Sequence, residues 1–106
     1  TIGTMEDVNV PEAIQHFGSQ NKIFFAHFRN PRGRVPVFDE VFPDEGDIDM
    51  VEAIRAFKSI NYDGVIRIDH CPGVIGDNSH ADRSFAFQVG YLKGLLQTFE
   101  ELGSPA

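Results

Sequence analysis

Two short apolar runs in this sequence, residues 22–28 and Val65–Ile68, each end in groups able to hold an ion or move a proton: His27 and Arg29 after the first, Asp69 and His70 after the second. Side chains alternate faces along a strand. Phe25, His27 and Arg29 would then share one face of the first run, with Phe24, Ala26 and Phe28 on the other. In the second run Val65, Arg67 and Asp69 are in phase, opposed by Ile66 and Ile68. If the two strands are parallel neighbours, His27, Arg29, Arg67 and Asp69 point at one mouth beyond their C-terminal ends, where parallel α/β proteins place their sites. An imidazole and a carboxylate at that mouth make half of an octahedral divalent-metal site. Their chemistry suits Mn2+ or Fe2+ better than Ca2+ or Mg2+. Arg67 is expected to be buried within its strand, so its guanidinium needs an anionic partner, either Asp69 or an anionic substrate.

Plainer readings compete. A histidine at a strand end can be a polar cap. Asp69 and His70 followed by Pro72 could form an ordinary turn. The acidic run at 44–49 reads as helix capping and solvated surface, because a calcium loop needs more regular oxygen spacing. Cys71 has no assigned base and reads as a bystander, not a nucleophile. His16 and His80 carry no signal individually.

The elements that must position these groups follow from capping and periodicity. Asn9 with Pro11 and Glu12 marks a helix start, and Gly18 is expected to supply its left-handed C-terminal cap. After the first strand, residues 30–47 are rich in Pro, Gly and charge and read as one long loop. Asp49 then caps a second helix, with Glu52 three residues on. Met50, Ile54 and Phe57 form its apolar stripe, and residues 61–64 end it. The second strand follows, then a loop over 71–79 and a final helix over 82–102. Alternation of this kind predicts an α/β fold with parallel strands. Two strands cannot close a sheet and leave edges exposed, so the chain is expected to need neighbours, either missing N-terminal units or other copies of itself.

Composition narrows the function class. At 106 residues there is room for one small domain, and the 42% hydrophobic content, with ten Phe and no Trp, can furnish a core. A net charge of −7, with nine basic residues forming no stripe, argues against nucleic acid. No apolar stretch approaches the roughly 20 residues that span a bilayer, and no export signal is read at the N-terminus. One cysteine suits a reducing compartment, so a cytoplasmic setting is expected.

Four blocks together resemble the mannonate dehydratase family. Residues 22–30, KIFFAHFRN, are similar to that family's "KIF-x-x-HFR" strand, and 41–50, VFPDEGDIDM, to its "E-x-F-H-D-E-G-D-I-D-M" loop. Residues 62–70, YDGVIRIDH, resemble "YDG-x-IR-P-DH", and 90–96, GYLKGLL, resemble its final helix. The blocks fall in the family's order and cover most of the chain. The resemblance implies the last two strands of an eight-stranded TIM (β/α)8 barrel, incomplete here. It also implies dehydration of D-mannonate to 2-keto-3-deoxy-D-gluconate in hexuronate (glucuronate) breakdown, with Mn2+ or Fe2+.

By position, the resemblance makes His27 and Asp69 metal ligands, His70 a catalytic histidine, and Arg29 a catalytic or substrate contact. Arg67 and His80 would join it in binding a small sugar acid. The sequence departs from the pattern in places. Thr1 stands where the family has a cysteine ligand, and Ile68 where it has a proline. Residues 77–80 stand where relatives carry "P-G-Y", so His80 would replace a tyrosine. A further histidine ligand is expected upstream. Independent activity of the 106-residue chain is not expected. Rival readings are a non-catalytic oligomerising barrel piece and another metal-dependent sugar isomerase or epimerase of the same fold.

Overall fold

The protein is described by a computed structural model covering residues 2–102. A 3-10 turn (Ile2–Thr4) leads into α1 (Val10–Gly18), β1 (Phe25–Phe28), β2 (Arg32–Arg34), β3 (Val37–Asp39), α2 (Met50–Ser59), β4 (Val65–Ile68) and α3 (Asp82–Leu102). Both expected N-caps form. Asn9 Oδ1 accepts from the Glu12 N–H at 3.1 Å, and Asp49 Oδ1 accepts from the Glu52 N–H at 3.0 Å, each satisfying a donor the helix start leaves orphaned.

The C-terminus of α1 differs from expectation. Gly18 is its last helical residue, and the left-handed position is taken by Asn21 at φ 56°. The Lys22 N–H donates back to Phe17 O and the Asn21 N–H to Gly18 O, the crossed pair that closes a helix end. Gly18 is required for another reason: a Cβ there would run into Ile60 Cδ1, so the missing side chain lets α1 lie close against α2. The end of α2 repeats the device with Asn61 at φ 54°. There the Tyr62 N–H donates to Phe57 O, and the Tyr62 ring packs 5.2 Å from the Phe57 ring.

β1 and β4 pair in parallel, with Phe25 opposite Val65, His27 opposite Arg67 and Phe28 opposite Ile68. α2 is the crossover between them. α1 packs beside α2, and α3 packs on α2 and β4. The core lies between this helix layer and the outer face of the strands. It is built from Ile14, Phe28, Met50, Ala53, Ile54, Ala56, Phe57, Leu92 and Phe99, with Ile54 fully enclosed. Ala26, Ile66 and Ile68 pack against this cluster, as the period-two reading expects. Phe24 does not: the strand begins one residue later, and Phe24 is 80% exposed.

The stretch expected to be one long loop contains a hairpin. β2 and β3 pair antiparallel, Arg32 opposite Asp39 and Arg34 opposite Val37. Each strand is three residues long, with Gly33 at φ 102° inside one of them, so no alternating pattern was long enough to read. Two residues of the acidic run expected to serve as helix capping and solvated surface anchor it, Asp47 by its carboxylate and Glu45 by its backbone carbonyl. Asp47 Oδ2 accepts from the Gly33 N–H at 2.7 Å, and Arg32 Nη2 donates to Glu45 O at 2.9 Å. Among the described residues no helix is long and apolar enough to cross a membrane.

Candidate functional site

Among the described residues nothing covers the inner face of the β1–β4 pair: Phe25 and Val65 are each more than half exposed. Parallel register brings the two strand ends level. His27 Nδ1 lies 3.2 Å from Asp69 Oδ2. Adjacent ligand atoms of an octahedral ion bound at about 2.1 Å stand about 3.0 Å apart, so the pair is already spaced for two neighbouring positions on one ion. The His27 side chain is 48% exposed and Asp69 19%, which leaves the approach open. The donor set therefore fits a divalent ion as a partial site. Among the described residues no group of three or more His, Cys, Asp or Glu could hold a metal, and Thr1, expected from the resemblance to stand at a cysteine ligand's position, lies outside them.

The other side chains singled out from the sequence are distributed unevenly. His70 Nε2 stands 3.6 Å from Asp69 Oδ1, so the carboxylate lies between two imidazoles and presents a different oxygen to each. Arg67 is exposed, not buried as its apolar neighbours imply, because the inner face has no covering layer. Its guanidinium makes no ion pair or hydrogen bond among the described residues, so Asp69 is not its partner. Arg29 follows the end of β1, and its guanidinium pairs with Glu40, just after β3. Nε donates to Glu40 Oε2 at 3.1 Å, and the guanidinium lies over the Phe38 ring at 5.3 Å. His80 is exposed and contributes only its backbone N–H, donated to Asn78 Oδ1.

Residues 77–84 form a capping network. Asp77 accepts backbone N–H groups of Asn78, Arg83 and Ser84. These bonds, the one from Arg83 foremost, hold its carboxyl below the usual range despite the opposing effect of burial. A carboxyl with a depressed folded-state pKa stabilises fully above its unfolded value and loses that contribution as pH falls through the folded value. The stability advantage of the native chain over Asp77→Asn should therefore be constant above about pH 5 and shrink below about pH 4. Urea midpoints of both proteins across that range are the check, and a constant difference would exclude this role.

Cys71 is partly buried, and desolvation, followed by the charges of Asp44, Glu40 and Glu45, pushes its thiol up to about 11. It stays protonated near neutrality, in keeping with a bystander. Asn30 was not singled out from the sequence. It is buried directly after the site strand, donating to Pro43 O at 2.6 Å and Ile48 O at 3.0 Å and accepting from the Ile48 N–H at 2.8 Å. A Cβ at Gly46 would collide with it. The only available signal was an amide residue following His27-Phe28-Arg29, and such a residue has many uses.

Comparison with known proteins gives a consistent result. Residues 1–104 match the family model for D-mannonate dehydratase (UxuA). The mannonate dehydratase of Thermotoga petrophila is 30% identical over 96% of this chain, and mannonate dehydratase 2 of Halalkalibacterium halodurans is 32% identical over 92%. In both cases the chain spans 30% of the relative's length. The crystal structure of mannonate dehydratase from Streptococcus suis serotype 2 superposes with a TM-score of 0.78 at 24% identity, covering 89% of this chain and 29% of that one. The mixed α/β arrangement with parallel strands is thus the fold of that part of a mannonate dehydratase.

Proposed function

The chain belongs to the D-mannonate dehydratase family, and we propose that it supplies the last two strands of a TIM (β/α)8 barrel that converts D-mannonate to 2-keto-3-deoxy-D-gluconate and water, a step of hexuronate (glucuronate) catabolism. The observation that carries this reading is the His27–Asp69 pair, 3.2 Å apart on adjacent parallel strand ends. Bound there, Mn2+ or Fe2+ would polarise a substrate oxygen and acidify the proton on the carbon beside the carboxylate. His70, on the other oxygen of Asp69, is placed to move a proton at that carbon or at the departing hydroxyl. Arg67, a cation on the same face without a partner among the described residues, suits the substrate carboxylate. Arg29 and His80 are the remaining proposed substrate contacts, with Arg29 reaching substrate only by sharing or leaving Glu40.

Grafting this chain in place of the matching C-terminal part of the Thermotoga petrophila enzyme tests the reading. The graft should form 2-keto-3-deoxygluconate from D-mannonate, and His27→Ala in the graft should abolish it. An inactive but folded graft would sink the proposal. Turnover of other sugars or sugar acids, with none of D-mannonate, would favour a related isomerase or epimerase. The isolated 106-residue chain, given D-mannonate and Mn2+, should make no product above background, because its site holds two donors. Robust turnover would overturn that reading.

The same incompleteness bears on association. Phe24, Phe25, Val65, Phe85 and Val89 are exposed on a small chain, more apolar surface than an isolated domain normally leaves in water. Sedimentation of the isolated chain should therefore show a dimer or larger species. A monodisperse monomer with a cooperative melt would count against it.

A further inference from the structure

The hairpin brings a second pair of charges to the end of β1. Its register sets Arg32 opposite Asp39, so the chain doubles back and Glu40 returns to Arg29, 11 residues earlier. Arg29 Nε donates to Glu40 Oε2 at 3.1 Å and Nη2 donates to Oε1, a side-on pairing. The Phe38 ring lies under the guanidinium at 5.3 Å, within reach of a cation–π contact. One edge and one face of the guanidinium are thereby fixed. The group has five N–H donors, and this pairing uses two of them. The others, on Nη1 and Nη2, have no partner among the described residues. Arg29 lines the same cavity as His27 and Asp69, while Glu40 stands outside it.

The two arginines beside the strand ends are thus in opposite electrical states. The charge of Arg29 is cancelled by Glu40, and both side chains are part-buried, where screening by solvent is reduced. Arg67 is exposed and carries its charge uncancelled among the described residues. A substrate carboxylate bonds most strongly to a free cation, and at Arg29 it would also be repelled by Glu40. Hydroxyl oxygens meet no such repulsion and can accept from the N–H groups left over. We infer that Glu40 is a positioning and specificity residue: it converts Arg29 from a carboxylate anchor into a donor to the hydroxyl oxygens of the sugar chain, and leaves the substrate carboxylate to Arg67. This assignment rests on the reading of His27 and Asp69 as a sugar-acid site, and it names which end of that substrate each arginine takes.

The test uses the graft onto the Thermotoga petrophila enzyme, with D-mannonate as substrate and glutarate, a dicarboxylate without hydroxyls, as probe. Glu40→Gln keeps the size of the side chain and removes its charge. Glutarate should then bind roughly fivefold tighter in titration calorimetry, because a second free cation is on offer. The kcat/KM for D-mannonate should fall about tenfold, since Arg29 is no longer held in place. Glu40→Asp keeps the charge and should hold glutarate affinity within about twofold of the unsubstituted graft. In an Arg29→Gln background, Glu40→Gln should change either value by less than about twofold, as expected of a residue that acts through Arg29. Unchanged glutarate affinity in Glu40→Gln, or losses that multiply in the double variant, would overturn the inference. So would a graft unfolded by Glu40→Gln, which would make the pair a brace of the hairpin. Glutarate binding needs no turnover. An inactive graft with the expected glutarate pattern would therefore refute the catalytic reading alone, and an active graft without that pattern would refute this inference alone.

Discussion

Asn30→Ala is expected to destabilise the chain by about 3 kcal/mol, from three hydrogen bonds lost in a buried setting where each abandoned polar group costs roughly 1–3 kcal/mol. The three bonds go to Pro43 O, Ile48 O and the Ile48 N–H, so one side chain holds the stretch that brings Asp49 to the start of α2. The neighbourhood has little room to adapt: Gly46 lies against Asn30 so closely that no Cβ fits between them. For a domain stable by about 5–15 kcal/mol in all, such a loss is large. Urea unfolding should show a lower midpoint with an unchanged slope. Asn30→Asp separates bonding from volume, since it keeps the size and loses the donor that two carbonyls require. It should be at least as damaging near neutral pH. A midpoint shift in Asn30→Ala worth less than about 1 kcal/mol would show that water replaces these bonds.

What could be read from the sequence follows the range of the interactions involved. Both N-caps, both long helices and the β1–β4 phase were legible because each depends on residues within a turn or on a period of two or 3.6. The placement of His27 and Asp69 at one mouth needed one further assumption, that consecutive strands are parallel neighbours. The β1–β4 pairing bears that assumption out. Gly18 was misread because its role is set by Ile60, more than forty residues away, and the turn signal was carried instead by Asn21. The hairpin was missed since its order comes from the Asp47 carboxylate reaching back to Gly33 and the Arg32 side chain reaching out to the Glu45 carbonyl, contacts that leave no local pattern. Arg67 was expected to be buried on the strength of its apolar neighbours. That inference holds only when both faces of a sheet are covered, and one face here is bare. Of the two partners expected for Arg67, Asp69 is not the one among the described residues: it lies between His27 and His70.

The sharpest consequence of that arrangement concerns the two oxygens of Asp69. Oδ2 faces His27 Nδ1 at 3.2 Å and Oδ1 faces His70 Nε2 at 3.6 Å. The first contact has the spacing of two ligands on one ion. The second is longer than a hydrogen bond and leaves His70 beside the pair, where the proposed proton transfer would need it. Two protein donors hold Mn2+ weakly, because affinity grows with the number of ligands that a fold fixes in advance. The isolated chain should therefore bind Mn2+ with an affinity that dialysis reverses. His27→Ala and Asp69→Ala should each lower it at least tenfold, to the point where titration calorimetry records no binding heat. His70→Ala should leave it within about twofold, since the His27–Oδ2 pair is untouched. At Asp69 the expected loss is the larger of the two, for its removal takes away the charged ligand, and a carboxylate oxygen suits Mn2+. Equal affinity in all three variants, or a greater loss from His70→Ala than from Asp69→Ala, would move the ion off the His27 side of the carboxylate and with it the assignment of His70 to proton transfer.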